Sequence, residues 1–450
     1  MGEDRRATWL LVALLAVAAL LRGIGANNSL WYDEIVTVRE YVREPLTVIV
    51  SKYNAANNHV MNSVLAHASV QALGEHPWTV RLPAILFGIG SVWAFYLVAR
   101  SFWRLDLALL GAALFAVSYH AVYYSQDARG YSAFVFFALL GCASLFRLLD
   151  ARSDRDARLH GVVYALSLAF GAWSLLLMAF VVAGQAIVLL AARRFRPLAW
   201  MIGGMALAAL LYSPMAGPLL SYHLSPPESG ITFASFFAEL RPVAPVILVG
   251  APIGTLLVFR LLGRAPLQTF LLLVPLGLQI VIFPFVLGVS FHPRAFIYGL
   301  PVAYFFLIET FDWCLPRLRA LVAPAAVVLV AGSLVLLWRF YPLPKQGFTE
   351  ALDYVASHRT VDERVVGLRL AGRAARFYDP SIAVAESADD ARRMVQESPR
   401  TWILLTFRNE MRENTRALAA WADANTRLAT TIRSAVGDGD VEVRVFEAGQ

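Results

Sequence analysis

Two adjacent carboxylates stand in the stretch Leu30-Trp31-Tyr32-Asp33-Glu34, just after an apolar segment that runs from Ala7 to Ile24 and a polar break at Asn27-Asn28-Ser29. Facing water, such a pair costs little; facing lipid, it costs a great deal. A carboxylate held at a bilayer surface and preceded by aromatic residues has the makings of a general base for chemistry on a lipid-borne substrate. The same two acids also suit the positive end of a surface helix. Asp33 and Glu34 alone leave both roles open.

Other chemistry-bearing residues collect between apolar segments. They are Asn57-Asn58-His59, Arg81, the run Tyr123-Tyr124-Ser125-Gln126-Asp127-Ala128-Arg129-Gly130-Tyr131, and His292-Pro293-Arg294. Carboxylates combined with several arginines suit one division of labour. The carboxylate takes a proton from an acceptor hydroxyl or amine, and the arginines hold a phosphate leaving group by charge-assisted, often bidentate hydrogen bonds. A phosphate ester departs as a stabilised anion, so the site needs cations there more than a strong acid. Simpler roles exist for each residue. Arg81 and Arg294 also fit snorkelling anchors, and Tyr123, Tyr124 and Tyr131 fit an aromatic belt. A metal site from Asp33, His59 and His292 is conceivable, but nothing in the spacing demands one, and no cofactor is expected.

The elements that position these residues follow from composition. The chain has 450 residues, 58% of them hydrophobic and 16% charged, against about 25% charged for a soluble domain. This composition predicts an α-helical polytopic membrane protein. The formal charge of +7 does not point to nucleic acid, because the arginines cluster at the ends of apolar segments, where the positive-inside rule puts them. Cys142 and Cys314 are far apart and offer neither a disulfide framework nor a metal cluster. The first apolar segment reads as an uncleaved helix rather than a signal peptide.

Hydropathy predicts about eleven membrane helices, near 7–24, 79–100, 105–122, 131–149, 160–176, 178–193, 198–217, 242–262, 267–289, 294–311 and 320–340. Arg5 and Arg6, Arg100 and Arg104, Arg147 to Arg158, Arg193 to Arg196, Arg260 and Arg264, and Arg317 and Arg319 then share one side, which the rule assigns to the cytoplasm. The N-terminus is expected inside, with the loops at 25–78, 119–130, 218–241 and 290–294 and the C-terminal segment outside. A bacterial inner (plasma) membrane is the expected location. The fifth and sixth helices lack a clear turn between them, but fusing them would flip every later arginine. Within the first outer loop, Asp33 to Val42 and Val60 to Leu73 read as interfacial helices, with Pro45 interrupting the first.

From about Lys345 hydrophobic runs shorten and charge rises. Helix-like stretches (350–358, 388–396, 409–425) alternate with strand-like ones (364–368, 382–385, 401–407, 428–434, 441–446). This implies a small C-terminal α/β soluble domain with a largely parallel sheet, ending in an antiparallel hairpin around Gly437-Asp438-Gly439. The expected division is a transmembrane domain over 1–340 and an outer-face domain over 341–450.

At this point the residues match a known group. The Asp33-Glu34 pair after the first membrane helix resembles the acidic motif of the C-type (GT-C) membrane glycosyltransferases, nearest to the protein O-mannosyltransferases and the aminoarabinose transferases of lipid A. Asn57-Asn58-His59 is similar to an "NNHP" element and Gly74 through Arg81-Leu82-Pro83 to a "G…RLP" element. Ser125 to Tyr131 is similar to an "ARxY" element, and His292-Pro293-Arg294 with Tyr298 and Pro301 to a late "RY…P" element. The chain departs from the group in reading His59-Val60-Met61 for "HPP", and Trp173 and Ser174 where relatives have a histidine. The resemblance covers about residues 7–340.

The resemblance implies inverting transfer of a monosaccharide from a polyprenyl-phosphate carrier to an acceptor glycan, lipid or protein at the outer face. It makes Asp33 the general base and Glu34 its partner in positioning the acceptor. Arg81, Arg129 and Arg294 become the donor-phosphate residues, and Asn58, His59, Gln126, Asp127, Tyr131 and His292 line the substrate. Two other functions remain: a transporter or flippase, which predicts charge at helix centres and two related halves, and an oligosaccharide ligase or polymerase with a longer donor.

Overall fold

A computed structural model describes residues 2–54, 57–224, 244–285, 293–316, 318–435 and 437–447. His292 and most of the expected 218–241 loop lie outside the described residues. A helix occupies each of the eleven apolar stretches: Gly2–Gly23, Pro77–Ala99, Leu105–Val117, Tyr131–Leu149, Asp154–Ser174, Met178–Ala191, Phe195–Tyr212, Ala244–Arg264, Pro266–Phe285, Gly299–Cys314 and Arg319–Phe340. Among the described residues, five helices are long and apolar enough to cross a membrane, or six if one bent pair forms a single span. The chain is a multi-pass membrane protein.

Two features of these helices sharpen the sequence reading. Asp154–Ser174 and Met178–Ala191 are separate helices; Leu175 is extended (φ −158°, ψ 126°) and breaks the ladder between them. The expected single helix over 105–122 is instead two, Leu105–Val117 and Tyr119–Ser125, bent by 58°. Ser118 makes the break, with φ −55° and ψ 121°, and its hydroxyl accepts the Ala121 N–H to start the second piece.

The described residues form two compact units that do not follow chain order. The first comprises Met1–Ile24, Glu44–Gly74 and Thr79–Val335; the second comprises Gly25–Arg43, Glu75–Trp78 and Leu336–Gln450. The expected cut at 340/341 divides the sequence once, whereas the second unit also draws in the segment carrying Asp33 and Glu34.

In the first unit, aromatic and small residues interlock. Phe95 stacks on Phe115 at 4.9 Å and on Phe305 at 4.6 Å. Helix backbones approach closely where side chains vanish: a Cβ on Gly204 would lie 2.5 Å from the Ala165 carbonyl oxygen, as expected of helices packed through small residues in lipid. Glu309, fully buried, is tolerated because both carboxylate oxygens are bonded: Oε1 accepts Arg260 Nε at 2.8 Å and Oε2 accepts Trp103 Nε1 at 3.0 Å.

The second unit holds a five-stranded sheet of order β2-β1-β3-β5-β4, made of β1 (Arg364–Leu368), β2 (Ala383–Ala385), β3 (Arg400–Leu405), β4 (Arg427–Ile432) and β5 (Val441–Glu447). β1 pairs in parallel with β2 and β3, and β5 runs antiparallel to β3 and β4, which gives the expected parallel body and terminal hairpin. Val366, Leu368, Ile403 and Leu405 face Ala391, Val395, Leu418 and Trp421 in its core. One helix was not foreseen. Arg369–Tyr378 starts directly after β1, with Arg369 itself at φ +44° and no glycine, proline or asparagine between strand and helix to announce a turn. The expected 409–425 helix is divided at Thr415.

Candidate active site

The acid motif belongs to the second unit. The expected 33–42 helix is present as Tyr32–Thr37 followed by a π-helical turn, Val38–Val42. Asp33 is half-buried and Glu34 fully buried. Glu34 lies in the first turn, and its Oε2 accepts the Trp31 backbone N–H at 2.9 Å. This returns an orphan donor at the helix start to a carboxylate. The two acids are unlike in burial: Glu34 is enclosed and holds the turn together, and Asp33, one residue earlier, is half-buried. Burial pushes the Tyr32 phenol up, while the Arg373 guanidinium bonded to it pulls the other way.

A separate cluster forms within the first unit around His59. Arg129 Nε donates to His59 Nε2 at 3.1 Å, and His59 Nδ1 lies 3.2 Å from the Ser174 carbonyl oxygen. An arginine N–H only donates and a carbonyl only accepts, so these partners assign a neutral imidazole with its proton on Nδ1. Burial, and then the Arg129 charge, hold the His59 pKa well below its usual value. The Tyr131 ring lies 5.4 Å from the His59 ring and 5.2 Å from the Arg129 guanidinium carbon. Gly130 is required by this packing: a Cβ there would sit 2.1 Å from the Ser174 carbonyl oxygen.

The remaining expected residues are distributed as follows. Asn58 is spent on the loop before it, donating to the Ile49 and Lys52 carbonyls at 3.2 and 2.9 Å and accepting from Ser63 Oγ. Gln126 Nε2 donates to the Arg22 and Ile24 carbonyls at 2.9 and 2.6 Å, closing the C-terminal end of Gly2–Gly23. Asp127 is buried, and its backbone carbonyl accepts the Arg129 N–H. Arg81 is buried and Arg294 exposed, on the short 3₁₀ turn Pro293–Phe296. The Arg294 charge is felt at both His59 and Tyr124. Among the described residues, no group of three or more His, Cys, Asp or Glu is placed to hold a metal ion, and the His59 Nε2 lone pair is already committed to Arg129.

Sequence reasoning missed Arg22. It is fully buried, and its guanidinium donates to Ser125 Oγ and to the Ala18 and Ala116 carbonyls, each at 3.1 Å. Ala116 lies two residues before the break at Ser118, so Arg22 serves a carbonyl close to where the helical ladder stops. The available signal was a lone arginine at the end of the first span opposite to the arginine-rich side.

Residues 60–217 match the model of the dolichyl-phosphate-mannose-protein mannosyltransferase family. No curated protein sequence matches the chain. Among solved structures, the chain is similar to ArnT from Cupriavidus metallidurans bound to undecaprenyl phosphate, with a TM-score of 0.57, 13% identity, and 98% of each chain covered. It is also similar to the oligosaccharyltransferase of Archaeoglobus fulgidus in complex with zinc and sulfate, with a TM-score of 0.55, 11% identity, and 93% of this chain and 71% of that one covered. With a helical membrane body, a small sheet-containing unit and these likenesses together, the chain has the fold of the C-type membrane glycosyltransferases.

Proposed function

We propose that the protein is an inverting glycosyltransferase that moves a monosaccharide from a polyprenyl-phosphate carrier to an acceptor at the outer face of the membrane. Asp33 takes the proton of the acceptor hydroxyl or amine as that atom bonds to the anomeric carbon. The bond from the anomeric carbon to the phosphate oxygen breaks, and the carrier leaves as polyprenyl phosphate. Glu34 holds the turn from which Asp33 acts. Arg294, Arg129 and Arg81 receive the charge that develops on the phosphate. His59, kept neutral and bonded to Arg129, orients that guanidinium; Gln126, Asp127 and Tyr131 shape the segment it stands on.

The observation that carries this reading is an acid pair directly after the first membrane helix on a chain with this fold, with Glu34 bonded to the start of its own helix and Asp33 half-buried beside it. The undecaprenyl phosphate bound to the Cupriavidus protein and the dolichyl-phosphate-mannose named in the matching family support a lipid-phosphate donor. In purified protein with a short-chain polyprenyl-phosphate sugar, Asp33→Asn should lower transfer by about 10²–10⁴-fold, the span expected of a general base, with polyprenyl-phosphate binding kept. Unchanged turnover would remove Asp33 as the base. A donor panel that includes lipid-linked oligosaccharides separates this activity from oligosaccharide transfer.

A further inference from the structure

We infer that Gln346 and Phe407 of the C-terminal segment are positioning residues for Asp33; the inference rests on Asp33 being the base. Every residue leading into Asp33 is gripped by a residue more than 300 positions later in the sequence. Ser29 Oγ bonds Thr349 Oγ1 and lies 2.9 Å from Glu350 Oε2. The Leu30 N–H donates to Tyr378 Oη at 3.1 Å. The Trp31 ring meets Phe407 edge-on at 5.4 Å, and a Cβ on Gly439 would lie 2.4 Å from that indole. The Tyr32 N–H donates to Gln346 Oε1 at 3.0 Å, and its ring also meets Phe407 edge-on, at 5.9 Å.

Two of these grips have the form of a fixture. Gln346 is fully buried, and its other amide atom, Nε2, donates to Thr406 Oγ1 at 2.9 Å. Both ends of the amide are thus committed, and turning it over would break both bonds at once. Phe407 holds φ +52° and ψ +54°, the left-handed region that a bulky side chain avoids. Its backbone N–H donates to the Asp438 carbonyl at 3.2 Å, which fixes that conformation. The strained backbone is what sets one ring against both Trp31 and Tyr32. Strain of this kind persists where the surroundings over-determine it, and such places cluster at functional sites.

A general base loses about 10²-fold when displaced by about 1 Å, so a backbone clamp on the residue before Asp33 controls the rate without touching substrate. Phe407→Gly removes the ring and relieves the strained φ, and Gln346→Leu removes the bond to Tyr32 at similar volume. Each should lower kcat by about 10–100-fold and leave the KM for a short-chain polyprenyl-phosphate sugar within about twofold. Phe407→Tyr should restore kcat, since the ring and its edges remain.

The test is a double-mutant cycle with Asp33→Asn, whose residual turnover has no base left to misplace. Phe407→Gly should then cost less than about twofold further. An equal loss in the Asp33→Asn background, or a donor KM that rises with the fall in kcat, overturns the positioning role while leaving Asp33 as base. Unchanged turnover in Asp33→Asn alone overturns the base and the clamp together. A thermal midpoint for Gln346→Leu close to wild type, with kcat still lowered, distinguishes positioning from loss of fold.

Discussion

His59 shows what a single side chain reveals once its partners are known. Buried, and with one nitrogen committed to a donor and the other to an acceptor, it exists in the fold only as neutral imidazole. Its folded pKa is depressed below the unfolded value of about 6.5. The stability it contributes is therefore complete above about pH 6.5 and is lost as the pH falls from there toward the depressed folded value. Thermal midpoints in detergent should drop for the wild type between about pH 7 and about pH 5, and this acid-side slope should be reduced in His59→Gln. Equal slopes in the two proteins would remove His59 as the titrating group. The sequence placed His59, Arg129 and Tyr131 in outer loops together, and the structure joins them. It gave no sign that the hub of the contact is a backbone carbonyl, that of Ser174, because a carbonyl carries no residue identity. The same blindness applies to Asn58 and Gln126, whose amides are taken up by main-chain carbonyls.

At the level of elements, apolar runs located the long helices among the described residues, since lipid leaves the backbone no other way to satisfy its polar groups. What hydropathy did not show is where a helix breaks inside such a run. Ser118 interrupts 105–125 with no proline or glycine beside the break, and a buried arginine from the first helix serves the Ala116 carbonyl beside it. Arg22→Met should destabilise the protein by about 2–4 kcal/mol, leaving buried carbonyls and a hydroxyl without their donor, read as a lowered thermal midpoint in lipid nanodiscs. Arg22→Lys should not rescue it, since an ammonium lacks the planar fork that reaches three acceptors at once. A midpoint within a degree or so of wild type for Arg22→Met would reduce the contact to decoration. Helix Arg369–Tyr378 escaped sequence reading for the reverse reason: strand passes into helix at Arg369 with none of the residues that mark turns.

For the molecule as a whole, charge bias predicts the side on which each loop lies, and that expectation is open to direct measurement. Val361 is fully exposed, in the turn before β1, while the natural cysteines are buried (Cys142) or half-buried (Cys314). A Val361→Cys protein in intact spheroplasts should react with a membrane-impermeant maleimide; reaction only after permeabilisation would invert the topology. Exposed Ile202, Leu210, Phe259, Val327 and Val328 mark lipid-facing sides of the membrane helices. The division into two units was only partly legible. The composition shift near Lys345 announced a second unit, but nothing local to residues 25–43 revealed that they pack with it. Contacts across more than 300 residues leave no trace in the pattern of either partner.

That membership bears on any attempt to build hybrids. A chimaera joined at residue 340 would graft a foreign tail beneath a native acid loop, parting Tyr32 from Gln346 and Trp31 from Phe407. Exchange between relatives should instead carry 25–43 and 75–78 along with everything after 335, so that loop and tail arrive as one inherited cassette.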